Sequence, residues 1–176
     1  MKVKGLRWFI IGLIFLATVI NYIDRSALAI MWGSSDQPDS ISGSLGLTKS
    51  DYGNILNIFM VFYALGQLFS GKLFDRVGTR IGYVISIGVW GISSFLHSTV
   101  RGLGGLIFFR SALGVSEAGN WPGGVKSNSE WFPIKERAFA QGLFNAGASI
   151  GSVIAPPFIA TLFVAYGWRT TFMVIG

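Results

Sequence analysis

Long apolar blocks separated by short charged segments constrain this chain more than any other feature of its sequence. Five blocks, at about 8–32, 52–70, 81–96, 103–119 and 138–165, approach the ~20 residues that a helix needs to cross ~30 Å of hydrocarbon, and a sixth begins near residue 170. Only helices satisfy their own backbone in lipid without closing a barrel, and the blocks lack the alternation of strands. The sequence therefore predicts an all-α membrane protein.

The composition supports this class and argues against several others. Hydrophobic residues make up 51% of the chain and charged residues 12%, whereas a soluble domain has about 25% charged residues. The net charge of +6 comes from basic residues between the blocks, with no basic stripe interleaved with aromatic residues, so we expect no nucleic-acid partner. With no Cys, no HExxH motif and one histidine, His97, to which we assign no role, we predict no metal, no cofactor and no enzyme.

The basic residues between the blocks also predict the orientation in the membrane. They concentrate on one side, at Lys2, Lys4, Arg7, Lys72, Arg76, Arg80, Lys126, Lys135 and Arg137, against Lys49, Arg101 and Arg169 on the other. Because cytoplasmic loops carry the excess of Lys and Arg, we expect a cytoplasmic N-terminus. The long outer connection at 33–51 is expected to be irregular and exposed, ending in a capping box formed by Thr48 and Asp51.

Four charged residues lie inside the apolar blocks, where the bilayer penalises them. Asp24 and Arg25 lie in the first span, and Arg110 and Glu117 in the fourth. A charge at the bilayer centre costs about 2.5–3.5 kcal/mol on insertion scales, and such residues usually face a bundle interior or a water-filled cavity. Arg110 and Glu117 share one helix face, whereas Asp24 and Arg25 point about 100° apart, so one of the latter is expected to face a cavity and the other a neighbouring helix.

These charges predict a carrier that moves a small organic anion by means of an ion gradient. A guanidinium fork fits a carboxylate, so Arg25 is the candidate substrate ligand. Asp24 and Glu117 are the candidate groups that take up and release the coupling proton. Structural ion pairs that lock helices together are the alternative, most of all for Arg110, which we class as structural or gating.

Uncharged polar residues extend the predicted polar path. Tyr63 and Gln67 in the second span are four residues apart and share a helix face, and Asn145 lies in the fifth span. We take these three as candidate substrate-binding residues, with ordinary hydrogen bonding between helices as an equal alternative. Gly147 and Gly151 form a GxxxG pattern, which predicts close packing of the fifth span.

The segment between spans two and three resembles the signature loop of the major facilitator superfamily. It consists of Gly71-Lys72-Leu73-Phe74-Asp75-Arg76-Val77-Gly78-Thr79-Arg80, which matches the pattern G-x-x-x-D-R-x-G-x-R in spacing and in position. Its glycines permit a tight turn, and its basic residues favour the cytoplasmic side. We therefore class Gly71, Asp75, Arg76, Gly78 and Arg80 as structural or gating residues.

Two further motifs resemble those of the anion:cation symporter family within that superfamily. The run Asn21-Tyr22-Ile23-Asp24-Arg25 is similar to the family's N-Y-x-D-R, and residues 110–118 are similar to its R-x-x-x-G-x-x-E-A. Residues 130–137 and 149–157 look most like the hexuronate transporters. The identical tetrapeptides that begin at Arg25 and Arg110 occupy equivalent members of the inverted three-helix repeats of the superfamily.

The resemblance implies a proton-coupled symporter of sugar acids, such as galacturonate or glucuronate, in the inner (plasma) membrane. It implies that Arg25 and Tyr63 contact the substrate and that Asp24 and Glu117 couple protons to transport. It also implies that residues 1–176 form the N-terminal six-helix bundle, truncated within the sixth helix, of a protein that is monomeric at full length, with protons, the anion and the lipid bilayer as partners.

Three other functions are weighed against this one. A symporter for an aldonate, an aldarate or another dicarboxylate keeps the fold and changes the cargo. A membrane-embedded enzyme needs a nucleophile with its base, or a metal cluster, and this sequence contains no pattern typical of either. The role of a membrane assembly subunit would not explain why charged residues are kept within the apolar blocks, where the bilayer penalises them.

Overall fold

The computed structural model describes residues 5–34 and 36–176, and it contains no strand within those ranges. The helices are α1 (Leu6–Met31), α2 (Ile41–Leu45), α3 (Lys49–Leu96), α4 (Leu103–Glu117), α5 (Asn120–Trp131) and α6 (Ile134–Ile175), with a short 3-10 turn at His97–Thr99. The predicted all-α membrane class is confirmed. Lys2 and Lys4, which contribute to the predicted orientation, lie outside the described residues.

Two of these helices each contain two predicted spans. The break in α3 is at Gly78 (φ 78°, ψ 166°), and the break in α6 is at Gly167 (φ 75°, ψ 167°). This backbone region is essentially restricted to glycine, because a Cβ atom is strained there. Spans two and three are therefore joined at a single residue rather than by a loop, and the same holds for span five and the segment that follows Gly167.

The segment after α4 differs from the sequence prediction. Span four was expected to end near residue 119 and to be followed by a loop, but α5 is helical as far as Trp131, and only Phe132 and Pro133 separate it from α6. The buried face of α5 consists of small and polar residues at helical spacing, namely Asn120, Gly123, Gly124, Ser127 and Asn128. A helix with so few apolar residues does not stand out as a membrane segment in a hydropathy pattern.

The outer connection is more ordered than its composition predicts. Ser40 caps α2 by accepting a hydrogen bond from the Gly43 amide (3.0 Å), and Ile41 is fully buried. The predicted capping box is present, because the Asp51 amide donates to the Thr48 hydroxyl (3.2 Å) and the Thr48 amide donates to the Asp51 carboxylate (2.9 Å). The expectation of an irregular, exposed loop is wrong for the part that forms α2.

Glycines allow the helices to pack closely in two places. A Cβ atom added at Gly151 of α6 would lie 2.7 Å from the Val19 carbonyl oxygen of α1, and one added at Gly66 of α3 would lie 2.7 Å from the Val115 carbonyl oxygen of α4. Gly147, the other glycine of the GxxxG pattern, meets α1 in the same way. The tight packing predicted for span five is therefore observed, and a matching contact joins α3 to α4.

Arg169 and Trp168 join three segments at one end of the bundle, which we call the Arg169 end. Arg169 Nη1 donates to the carbonyl oxygens of Ser98 (2.7 Å) and Val100 (2.8 Å). Trp168 Nε1 donates to the Ser44 hydroxyl of α2 (3.0 Å), and the Arg169 guanidinium stacks over the Trp168 ring at 4.2 Å. The opposite end, which contains Arg7, is called the Arg7 end.

Candidate functional site

Arg25 of α1 and Glu117 of α4 form an ion pair inside the bundle. Arg25 Nη2 and Nε donate to the same Glu117 oxygen, Oε2, at 3.0 and 3.2 Å. The Glu117 side chain is completely buried, whereas 25% of the Arg25 side chain is accessible. The accessible part of Arg25 thus gives the pair an open side, and Glu117 Oε1 has no hydrogen-bond partner in the described part of the chain.

Aromatic rings surround the guanidinium of Arg25. Its Cζ atom lies 4.6 Å from the ring centroid of Tyr63, 5.3 Å from that of Tyr22 and 5.5 Å from that of Phe59. Gln67 Nε2 donates to the Tyr63 hydroxyl at 3.0 Å. Cation–π contact favours the charged guanidinium at this place, where the predicted residues Arg25, Tyr63 and Gln67 are brought together.

Asp24 points away from this open side, into the packed interior. It is 1% exposed, and its Oδ1 accepts a hydrogen bond from the Ser94 hydroxyl of α3 at 2.9 Å. Its second oxygen, Oδ2, has no hydrogen-bond partner among residues 5–34 and 36–176. The two adjacent charges of span one therefore diverge as expected, with Arg25 on the accessible side and Asp24 against a neighbouring helix.

Arg110 is buried within electrostatic reach of both carboxylates. It interacts electrostatically with Glu117 and with Asp24, and its Nε and Nη2 atoms have no hydrogen-bond partner in the described chain. The interior therefore contains two acids and two arginines, which balance in charge. Breaking one member of a buried charge set is costly, because the charge that remains is left uncompensated.

His97 belongs to the same interior, which the sequence analysis did not foresee. It is completely buried, and its Nδ1 lies 2.6 Å from the Ser93 carbonyl oxygen. A carbonyl only accepts hydrogen bonds, so Nδ1 bears the hydrogen, and Nε2, which has no partner within the described ranges, has a free lone pair when the ring is neutral. The available signal was the polar stripe of the second half of α3, which places Ser86, Ser93, Ser94 and His97 at helical spacing.

Asn145 makes no hydrogen bond to Arg25 or Glu117 in the described chain and is bonded to Gln141 instead. It is exposed, and its Oδ1 accepts from Gln141 Nε2 at 3.1 Å. Gln141 Oε1 in turn accepts from Asn128 Nδ2 at 3.3 Å. Asn145 is thus the end of a chain of amides between α5 and α6, on an accessible surface of the bundle.

The signature loop is held to α5. Lys126 Nζ donates to Asp75 Oδ1 (2.7 Å) and to the Phe74 carbonyl oxygen (2.9 Å). The Thr79 hydroxyl donates to Glu130 Oε2 at 3.0 Å. Of the other predicted residues in this segment, Gly78 forms the break in α3, Gly71 is helical, and Arg76 and Arg80 are exposed.

Three helices are long and apolar enough to cross a membrane, namely those spanning Leu6–Met31, Lys49–Thr99 and Ile134–Ile175. Among the described residues, no group of three or more His, Cys, Asp or Glu side chains is arranged to hold a metal ion. A helical membrane bundle whose interior holds paired charges beside an accessible arginine defines the class as a polytopic membrane transport protein.

Comparison with known proteins agrees with this class. The family model described as Major Facilitator Superfamily matches residues 14–176, and the chain belongs to that superfamily. It is 35% identical to a galacturonate transporter of Dickeya chrysanthemi and 35% identical to a hexuronate transporter of Escherichia coli K12, in each case over 99% of this chain. These matches cover 49% and 39% of the two relatives, so the chain spans at most about half of their length.

A solved structure has the same fold. A bacterial homologue of the human lysosomal transporter Spinster, in an inward-facing and unoccupied conformation, superposes with a TM-score of 0.80 at 20% identity over 99% of this chain and 41% of that one. The superfamily and these relatives are transporters and not enzymes, which agrees with the prediction that the chain is not an enzyme. The chain is that of an integral membrane protein.

Proposed function

We propose that the protein containing this chain is a proton-coupled symporter that takes up a sugar acid, such as a hexuronate, by alternating access. The observation on which this rests is the ion pair between the accessible Arg25 and the buried Glu117. In this proposal residues 1–176 are the N-terminal bundle, and a second bundle of similar size supplies the rest of the substrate site.

Arg25 is the proposed ligand of the substrate carboxylate. Its two donors now meet a single oxygen of Glu117, although a guanidinium fork binds the two oxygens of a carboxylate in parallel when it is free to do so. An arriving anion offers that bidentate geometry on the accessible side of Arg25. Tyr63 and Gln67 lie beside it, where their polar groups are placed to bind sugar hydroxyls.

Glu117 is the proposed group that links proton binding to anion binding. While it is ionised it neutralises Arg25, and an anion must displace it. Protonation removes that charge and leaves Arg25 with an unpaired positive charge in a low-dielectric site, so the affinity for an anion rises. Because binding of one ligand favours the other, proton and anion are carried together. Asp24 is the proposed second proton site, and Arg110 is the fixed charge that both acids face.

The relatives support sugar acids as the substrate class within organic anions. The names of the relatives include galacturonate and hexuronate transporters, a probable L-galactonate transporter, and a probable galactarate/D-glucarate transporter. All of these substrates combine a carboxylate with hydroxyl groups, which fits a guanidinium beside a tyrosine hydroxyl and an amide. Aldonates and aldarates are accordingly the second candidate class.

The membrane placement follows from the same proposal. The Arg7 end faces the cytoplasm, because the exposed Arg76 and Arg80 lie at that end and cytoplasmic surfaces hold the excess of basic residues. The protein lies in the inner (plasma) membrane as a monomer, with its exposed apolar side chains in contact with lipid.

Uptake by the complete protein in proteoliposomes tests the proposal. Galacturonate, glucuronate, galactonate and galactarate are compared with and without an inward proton gradient, and gradient-dependent accumulation of at least one sugar acid is expected. Arg25→Lys keeps the charge and loses the fork, so it is expected to lower the uptake rate about tenfold, and Arg25→Ala to abolish uptake. Arg101→Ala, at an exposed position, is the matched control. Gradient-independent uptake, or full activity of Arg25→Ala, contradicts the proposal.

A further inference from the structure

A stripe of buried polar residues runs along α1 from Asp24 towards the Arg7 end. Thr18, Asn21 and Asp24 are three residues apart, so they lie on one face of the helix. All three are at most 1% exposed. Apolar side chains would be expected on a helix face buried this deeply. The proposed roles of Arg25 and Glu117 do not require Thr18 or Asn21, so the polar residues on this face need another explanation.

The stripe continues into the neighbouring helices. Asn120, at the start of α5, donates from Nδ2 to the Thr18 hydroxyl at 3.0 Å. The Asn120 carbonyl oxygen accepts a hydrogen bond from the Tyr83 hydroxyl of α3 at 3.2 Å. Together with Ser94, which holds Asp24, these residues form what we call the polar seam: Thr18, Asn21, Asp24, Ser94 and Asn120. The seam lies between α1, α3 and α5 and ends near Tyr83.

Several atoms of the polar seam have no protein partner. They are both amide atoms of Asn21, Oδ2 of Asp24 and Oδ1 of Asn120, among the residues that the structure describes. The Thr18 hydroxyl donates its only hydrogen to the Ile14 carbonyl oxygen (2.9 Å), so it cannot serve the three unpartnered oxygens. Buried polar groups without protein partners are normally bonded to internal water, which needs two to four such partners.

We propose that the polar seam is a hydrated path through which Asp24 exchanges its proton with the solvent at the Arg7 end. This rests on the proposed function, in which Asp24 takes part in proton coupling. The Asp24 carboxyl gives its proton to an adjacent water held by the Asn21 amide, and the proton passes through further water held by Asn120 Oδ1, leaving a carboxylate behind. Thr18 positions Asn120 by fixing its Nδ2, which leaves Oδ1 as the free acceptor.

The charges around Asp24 favour release in this direction. Glu117 and Arg110 of α4 face it from one side, and Ser94 and Trp90 of α3 from the other. The positive Arg110 blocks the passage of a proton towards α4 by electrostatic repulsion, whereas the seam contains only neutral groups from Asn21 to Asn120. Asn21 and Asn120 are thus positioning residues for water and do not themselves bind the substrate.

The test separates net proton-driven accumulation from exchange of labelled for unlabelled sugar acid, which needs no net proton movement. In the complete protein, Asn21→Leu and Asn120→Leu are expected to lower proton-driven accumulation at least tenfold while exchange stays within about twofold of wild type. Asn21→Ser, which is smaller and polar, is expected to restore accumulation. Asn54→Leu, the same change at an exposed position of α3, is the control.

The possible results are distinct. If both leucine variants accumulate substrate at the wild-type rate with the wild-type pH profile, the proposed path is wrong. A parallel loss of exchange and accumulation also contradicts it, because this indicates a structural role. If wild-type protein shows no proton-driven accumulation, the proposed function itself fails, and the path fails with it. Should Asn21→Leu not reach the membrane, Asn120→Leu and Asn21→Ser give the same comparison.

Discussion

Arg25 binds Glu117 through one carboxylate oxygen only, since Nη2 and Nε both donate to Oε2 and Oε1 has no protein partner in the described chain. A purely structural pair in a fully buried place is expected to use both oxygens, because each unpaired buried acceptor costs about 1–3 kcal/mol. The one-oxygen geometry therefore favours a pair that is exchanged during function over one that only holds two helices together.

Replacing the acid of this pair is expected to separate anion binding from its proton dependence. Glu117→Gln keeps the size of the side chain but can never neutralise Arg25. We expect the affinity for sugar acid to become nearly independent of pH, and proton-driven accumulation to fall at least tenfold while exchange persists. Binding and uptake measured between pH 5 and pH 8 check this, with Glu136→Gln at the Arg7 end as control. Wild-type gradient dependence in Glu117→Gln would show that Glu117 does not couple protons.

The contact between α1 and α6 is expected to tolerate no added methyl group. Gly151→Ala places a Cβ atom 2.7 Å from the Val19 carbonyl oxygen, so backbone must move. Overpacking of this kind costs about 1–3 kcal/mol and should lower the melting temperature in detergent. Gly142→Ala, in the same helix with no atom within 4 Å, is the matched control and should be neutral or stabilising. Equal melting temperatures for the two variants contradict this packing.

The break in α3 is expected to depend on the missing side chain of Gly78. At φ 78° and ψ 166° an alanine is strained by about 1–3 kcal/mol, although no atom lies within 4 Å of the added Cβ. Gly78→Ala should therefore lower thermal stability through the backbone alone. Gly88→Ala, which has normal helical geometry and open space in the same helix, serves for comparison. A Gly78→Ala protein as stable as Gly88→Ala would argue against this backbone conformation.

Arg169 is expected to stabilise the Arg169 end more than any single hydrogen bond there. Arg169→Ala removes two charged hydrogen bonds to carbonyl oxygens and the stacking on Trp168. The free energy of unfolding of this end is expected to fall by about 2 kcal/mol, because hydrogen bonds from a charged group are lost. Faster cleavage by an added protease within residues 97–102, relative to the wild-type protein, is the measurement. Unchanged cleavage would mean that other contacts hold this turn.

The sequence predicted the membrane spans and the divergence of the Asp24 and Arg25 side chains, because both depend on local pattern. Hydropathy located the helices, and the adjacency of Asp24 and Arg25 required them to diverge. The pairing of Arg25 with Glu117 joins residues 92 positions apart in the chain, and no local pattern contains such a contact. The same applies to Asp24 and Ser94, which are 70 positions apart.

The errors have physical causes as well. The segment that forms α5 looked like a loop because its buried face is lined by glycine, serine and asparagine, which pack closely without raising hydropathy. α2 was missed because five residues are too few to show a period. His97 is assigned no role from the sequence, because a lone histidine is more often satisfied or exposed than a ligand, and in the structure the aromatic rings of Phe109 and Phe172 pack against it.

The two ends of the bundle differ in the acceptors that their basic side chains bind. Arg169 is held by carbonyl oxygens, which stay uncharged at any pH. At the Arg7 end, bonds to carbonyl oxygens, such as that from Lys126 to Phe74 (2.9 Å), are joined by the carboxylate pairs Arg7–Glu136 (3.0 Å) and Lys126–Asp75 (2.7 Å). Acid and concentrated salt weaken carboxylate pairs at a surface but leave a guanidinium–carbonyl bond largely intact. Low pH or high salt should therefore loosen the helix contacts at the Arg7 end before those made by Arg169.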